Sequence, residues 1–231
     1  MKLGLKHMAA TLVFILGFSI SLNLYLYFEG YYKKAEPEIQ DLMGASSDVF
    51  QVNKSMFPME LETTAGRVRI PVEGRINVFV PQYINCPDIC HIETMIMVYV
   101  MNKSLEEGWA DRVAWVTVEV DPWSTSEEGV REYMEGVAGP LLERGVTWIW
   151  VLDRGEGLDK LWGQLGIKSQ KDPETGLVGH TAGFYIVSGD GFIMYYIKPK
   201  TTAVGNAWEN PRDVAEGLYR VLRYLALDGD S

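Results

Sequence analysis

The chain has 231 residues, of which 47% are hydrophobic, 12% aromatic and 23% charged, a balance that supports a packed core and excludes a largely disordered or fibrous protein. Its formal net charge of −10 argues against nucleic-acid binding, which needs a basic face to neutralise phosphates. Two cysteines cannot build a disulfide scaffold; they can form one bridge, one redox pair or part of one metal site.

Residues 1–7 form a short basic flank with Lys2 and Lys6. Residues 8–28 carry no charged side chain, and about 20 apolar residues suffice to cross a hydrocarbon core. A cleaved signal peptide would have a shorter apolar region and a small-residue cleavage site. Here Tyr25, Tyr27, Phe28, Tyr31 and Tyr32 look instead like an interfacial aromatic belt. The expectation is an uncleaved single-pass membrane anchor over 8–28, with the rest of the chain on the extracytoplasmic side. Residues 29–48, polar and containing Pro37, read as a linker, and residues 49–231 as one domain.

Within that domain, short strands are expected at 49–52 and 67–70, with Gly66 and Gly74 as turn punctuation. A β-branched strand follows at 75–80, then the loop bearing Cys86 and Cys90, then an apolar stretch at 92–101 that is too long for a strand and reads as a buried helix. Further strands are expected at 112–120 and 146–152, alternating with helices that begin at Ser126, a plausible N-cap, and at Gly157. Residues 168–179 read as a polar loop that delivers His180. Strands at 181–187 and 192–197 are joined by the turn Ser188-Gly189-Asp190-Gly191. Asn210-Pro211 starts a last helix, whose apolar face is Val214, Leu218, Val221, Leu222 and Leu225. Alternating strands and helices imply an α/β fold with a mainly parallel sheet.

The cysteines sit where a strand ends and a helix begins. Unsatisfied N–H groups and the positive dipole end of a helix lower a thiol's pKa there, and the thiolate is the form that binds metals or attacks disulfides. Positions four apart share a helical face, so Cys86 and Cys90 project to one side. A strand, two cysteines heading a helix and a ββα ending resemble the layout of the thioredoxin fold, although the spacing here is Cys-x-x-x-Cys. Two soft thiolates select Cu(I) or zinc, and with one well-placed imidazole the donor count favours copper over a four-ligand structural zinc. His91, adjacent to Cys90, would point about 100° away on a helix. Met95, Met97 and Met101 read as core filler, and Asp88 as a helix cap or loop-shaping residue.

Cys86-Pro87-Asp88-Ile89-Cys90, the strand end Val120-Asp121-Pro122, and Gly179-His180-Thr181 followed by a strand and Gly-Asp-Gly together resemble the SCO/SenC copper chaperones, which take part in assembling the dinuclear copper centre of cytochrome c oxidase. The resemblance runs from about residue 49 to 227. It implies a thioredoxin-like domain on an N-terminal anchor, with Cys86, Cys90 and His180 as ligands for copper, Cu(I) or Cu(II). It also implies a copper-accepting subunit of a respiratory oxidase as partner, and a thiol–disulfide reductant that keeps the cysteines reduced. The family commonly has Asp where this chain has Gly179, and proline where it has His91. Two rival functions use the same residues differently. One is a membrane-anchored thiol–disulfide oxidoreductase with Cys86 and Cys90 as its catalytic redox pair. The other is a non-metal interaction domain with a structural disulfide.

Overall fold

Val113–Glu119 is buried at every position, so this strand, nearly all apolar, is covered on both faces and lies mid-sheet. The computed structural model of the chain describes residues 33–202 and 208–228. The expected flank and anchor at 1–28 lie outside the described residues. Among the described residues no helix is long and apolar enough to cross a membrane.

In chain order the elements are β1 (Lys33–Lys34), α1 (Pro37–Met43), β2 (Ser47–Ser55), β3 (Met59–Thr63), β4 (Gly66–Ile70), β5 (Ile76–Gln82), α2 (Ile89–Glu107) and β6 (Val113–Glu119). They continue with α3 (Glu127–Glu143), β7 (Thr147–Val151), α4 (Glu156–Leu165), β8 (Ser169–Lys171), β9 (Val178–His180), β10 (Phe184–Val187), β11 (Phe192–Pro199) and α5 (Pro211–Leu227). Nine strands form one sheet in the order β1-β2-β11-β10-β5-β6-β7-β3-β4, and β8 and β9 form a separate two-stranded ribbon.

The sheet corrects the expectation of mainly parallel strands. Parallel pairing joins β5–β6 and β6–β7, the two steps crossed by helices α2 and α3, whereas β2–β11, β11–β10, β10–β5, β7–β3 and β3–β4 are antiparallel. Short connections such as the Ser188–Gly191 turn can only return a strand antiparallel. In that turn the N–H of Ser188 donates to the carbonyl of Phe192 at 2.9 Å, and Gly191 takes a φ of +89°, open to glycine at little cost. The central strands set Trp115 opposite Trp148 and Thr117 opposite Trp150, and all three tryptophans are buried. Helix α2 packs against both α3 and α5, closing the core over the sheet.

Two of the expected helix starts are capped, whereas the helix expected from Gly157 begins at Glu156 without a side-chain cap. The Ser126 hydroxyl accepts from the Gly129 N–H, and the Asn210 side chain accepts from the Asp213 N–H with Pro211 in the first position. Some expectations fall short of what forms. The segment read as linker contains helix α1, whose Ile39 and Met43 are buried at the four-residue spacing of one helical face. Helix α2 runs beyond 92–101 in both directions. The segment read as a polar loop before His180 contains the β8–β9 ribbon.

Candidate metal centre

Strand β5 delivers the chain to the carboxyl edge of the sheet, and α2 starts within seven residues. A turn closed by the Cys86 N–H to the Tyr83 carbonyl, at 3.3 Å, folds the cysteine loop back over that edge. Asp88 occupies the N-cap position of α2 but makes no side-chain capping bond, so of its two expected roles, cap or loop-shaping residue, side-chain capping is not formed. Cys90 lies in the first turn of α2, and both cysteines are free thiols, 4% and 2% exposed. Gln82, at the end of β5, is buried beneath them. Its amide donates to the Cys90 carbonyl at 3.0 Å and to Thr94 Oγ1 at 3.2 Å, and its oxygen accepts from Thr117. These bonds tie the cysteine turn to the middle of the sheet.

His180 reaches the same place from far along the chain. It ends β9, opposite Ser169 of β8. The ribbon is fastened to the end of β6, where Ser169 Oγ donates to the Val120 carbonyl at 2.6 Å and Lys171 Nζ pairs with buried Asp121 at 3.3 Å. Lys171 also donates to Ser124. The histidine therefore sits on hydrogen-bonded structure. Its Nε2 is 3.5 Å from Cys90 Sγ. One donor atom each from Cys86, Cys90 and His180 lies within 4.8 Å of the others, the only such group among the described residues.

The other ring nitrogen settles the orientation. His180 Nδ1 is 2.8 Å from the Thr181 carbonyl oxygen. A carbonyl only accepts, so Nδ1 carries a proton and Nε2 is left to face the sulfurs. Gly179 has no side chain to play that part, and the next peptide supplies the acceptor instead. The Tyr83 ring meets the imidazole edge-on, with centroids 5.7 Å apart, and its hydroxyl accepts from the Val178 N–H at 3.4 Å.

The electrostatics are those of a poised dithiol. The Cys86 pKa is lowered, first by the hydrogen bond from the Cys90 thiol, which outweighs burial, and then by His180. The Cys90 pKa is raised, because it holds the proton it shares with Cys86 and because it is buried. Burial works against a charge on His180, but the bond to Cys86 and the field of Glu93 outweigh it and raise the histidine's pKa. Of the two thiols, Cys86 is therefore the one that loses its proton more readily. A cavity of about 570 Å³ opens onto the site and is lined by Cys86, His180, Tyr83, Leu177 and Trp208 among others.

His91 is exposed, with its ring toward Tyr133 at 6.2 Å, and takes no part in the cluster. Met97 and Met101 are fully buried as expected, but Met95 is 63% exposed, so it fills no core. Glu93 was hidden inside a stretch read simply as apolar. It is fully buried one turn beyond Cys90, its Oε1 accepts from the Gly183 N–H at 2.9 Å, and burial drives its pKa up to about 8. The signal available in the sequence was a single charge within an otherwise apolar run.

The SCO1/SenC family model matches residues 67–210, more than half of the chain. No curated protein matches it. Among solved structures it is similar to a SCO1/SenC family lipoprotein from Bacillus anthracis str. Ames, at 20% identity over 76% of this chain and 97% of that one, with a TM-score of 0.60. Arabidopsis thaliana ScoI with copper bound is 21% identical over 74% of this chain and 99% of that one, TM-score 0.56. Bradyrhizobium japonicum ScoI with copper bound is 19% identical over 73% and 100%, TM-score 0.54. At these identities the structural likeness establishes a shared fold, and the sequence model establishes the kinship: the chain belongs to the SCO1/SenC family.

Proposed function

We propose that this protein binds copper as a cargo through Cys86, Cys90 and His180, is held at a membrane by residues 8–28, and passes the metal to the copper centre of a respiratory oxidase. The observation that carries the reading is the convergence of two sulfurs and one imidazole nitrogen within 4.8 Å. The donors suit the cargo. Thiolates are soft ligands preferred by Cu(I), and the added imidazole suits Cu(II). His180 already presents Nε2 with its proton on Nδ1. Two SCO structures of the same fold are described with copper bound, and a third relative of the fold is described as a lipoprotein, which accords with a membrane-tethered chaperone.

Metal capture replaces the proton held between the sulfurs, so binding releases a proton and requires both cysteines reduced. Reduced full-length protein should take up one copper per chain, and Cys86→Ser or Cys90→Ser should abolish this uptake. Copper content unchanged in either variant would contradict the reading.

A second reading is favoured by one observation, the lowered pKa of Cys86 beside a protonated partner thiol. That is the arrangement of an attacking thiolate in disulfide exchange. In it Cys86 attacks a substrate disulfide, a mixed disulfide forms, and Cys90 resolves it, leaving the protein oxidised and the substrate dithiol reduced. His180 is dispensable for that chemistry and necessary for a three-donor metal site, so His180→Ala separates the two readings.

A further inference from the structure

We propose that Glu93 is a positioning residue, a buried latch that ties the segment carrying His180 to the helix carrying Cys90. Glu93 is fully buried and takes part in no ion pair among the described residues. Burying a carboxyl group without a cation carries a heavy desolvation cost. One oxygen, Oε1, accepts from the Gly183 N–H at 2.9 Å, and the other, Oε2, has no hydrogen-bond partner among the described residues. It is not part of the donor group itself, which consists of Cys86, Cys90 and His180.

The acceptor meets a peptide in a closely packed turn. Gly183 has a φ of +118°, and a Cβ there would lie 2.4 Å from the Ile197 carbonyl oxygen. The same peptide is held from its other side by the Tyr196 hydroxyl, which donates to the Ala182 carbonyl at 2.7 Å. One step earlier, the Thr181 carbonyl takes the His180 Nδ1 proton. Two consecutive peptides after His180 are thus fixed, and the fixing group supplied by the cysteine helix is Glu93. Glu93 lies three residues from Cys90, within one helical turn. A displacement of α2 would therefore carry Cys90 and the Gly183 anchor together, preserving the 3.5 Å approach of Nε2 to Cys90 Sγ.

With the latch cut, the two sulfurs stay on their loop and helix while the segment after His180 loses its bond to the cysteine helix, which loosens the imidazole's approach to Cys90. A two-sulfur site still satisfies Cu(I), whereas Cu(II) loses its nitrogen donor. The latch therefore sets which copper oxidation state the site retains. This consequence rests on the copper reading above; the latch itself does not.

The test uses the purified full-length chain with three side chains at position 93. Glu93→Gln keeps a carbonyl acceptor for Gly183, while Glu93→Leu keeps the volume and removes the acceptor. Residue-resolved amide exchange on the metal-free protein should show Gly183 protected in the parent and in Glu93→Gln, and exchanging at least about tenfold faster in Glu93→Leu. The His180 ring resonances should shift only in Glu93→Leu. Copper arms follow: Glu93→Leu should retain Cu(I) and lose the thiolate-to-Cu(II) absorption band, and Glu93→Gln should keep both. An unprotected Gly183 amide in the parent, or protection unchanged in a folded Glu93→Leu, would overturn the proposal. Should Glu93→Leu fail to fold, the parent and Glu93→Gln exchange profiles decide it, since loss of protection in Glu93→Gln contradicts the latch. If no variant and no parent takes copper while the exchange pattern holds, the copper reading fails and the latch stands.

Discussion

His180 donates through Nδ1 to the carbonyl of Thr181, its own neighbour, at 2.8 Å. A ligating histidine is ordinarily oriented by an acceptor elsewhere; here the backbone of the following residue does it, so no side chain at Gly179 is needed. The relationship fixes which nitrogen faces the sulfurs.

Replacing that imidazole should split the activities. His180→Ala removes the nitrogen donor and leaves both thiols in place. Competition titrations should show Cu(II) affinity falling by at least about a hundredfold, with Cu(I) held by the remaining sulfurs. The rate of exchange with a small disulfide should stay within about threefold of the parent. Equal loss of both would mean that His180 supports the fold of the cysteine loop rather than the metal.

Cys86 should behave as a thiolate well below the range where an ordinary cysteine ionises. Its pKa is lowered chiefly by the hydrogen bond from Cys90, so the alkylation rate of reduced protein should stay level as pH falls from about 9 to about 6, where a normal thiol's rate drops roughly a hundredfold. Cys90→Ala removes the largest of the groups that lower it and should make the decline steeper than in the parent. A steep decline in the parent protein would count against the shared-proton arrangement.

Gly183 has no room for a methyl group. With a φ of +118° and a Cβ position 2.4 Å from the Ile197 carbonyl oxygen, Gly183→Ala should cost at least about 2–3 kcal/mol in urea unfolding. Since the strained peptide lies three residues from His180, the same variant should weaken Cu(II) binding. A loss under about 0.5 kcal/mol would show that this turn relaxes freely.

Glu119 gives a pH signature away from the metal donors. Burial raises its pKa to about 7, against the N–H of Asp121 and the Trp150 indole that favour its charged form. A carboxyl with a raised folded pKa contributes stability that is complete below its unfolded value, near 4.5, and is lost as pH rises through the folded one. The loss between about pH 4.5 and about pH 7 should be on the order of 3 kcal/mol. Unfolding curves for Glu119→Gln should lack this component, so the stability difference between variant and parent should change with pH in that window. A constant difference would contradict the raised pKa.

The sequence carried the local signals of this fold and missed those that depend on distant partners. Ser126 and Asn210-Pro211 mark helix starts because a cap is a bond within three residues. The β-branched and tryptophan-rich runs mark β5, β6 and β7 because a strand covered on both faces must be apolar throughout. Strand β3, with the sequence MELET, places charges at alternate positions and becomes a strand through pairing with β4 and β7. The β8–β9 ribbon lies among turn-forming residues and is held by Asp121 and Val120, about fifty residues earlier. Of the site, the cysteine pair was readable from its place at a helix start, and His180 from the family resemblance. Glu93 and Tyr83 gain meaning only when the His180 segment folds over them.

X-ray absorption at the copper edge of the loaded, reduced full-length protein tests the central claim most directly. The account predicts two sulfur scatterers and one imidazole nitrogen around a single copper, with the nitrogen signal absent in His180→Ala. A copper environment of nitrogen and oxygen without sulfur, or one unaffected by His180→Ala, would contradict it.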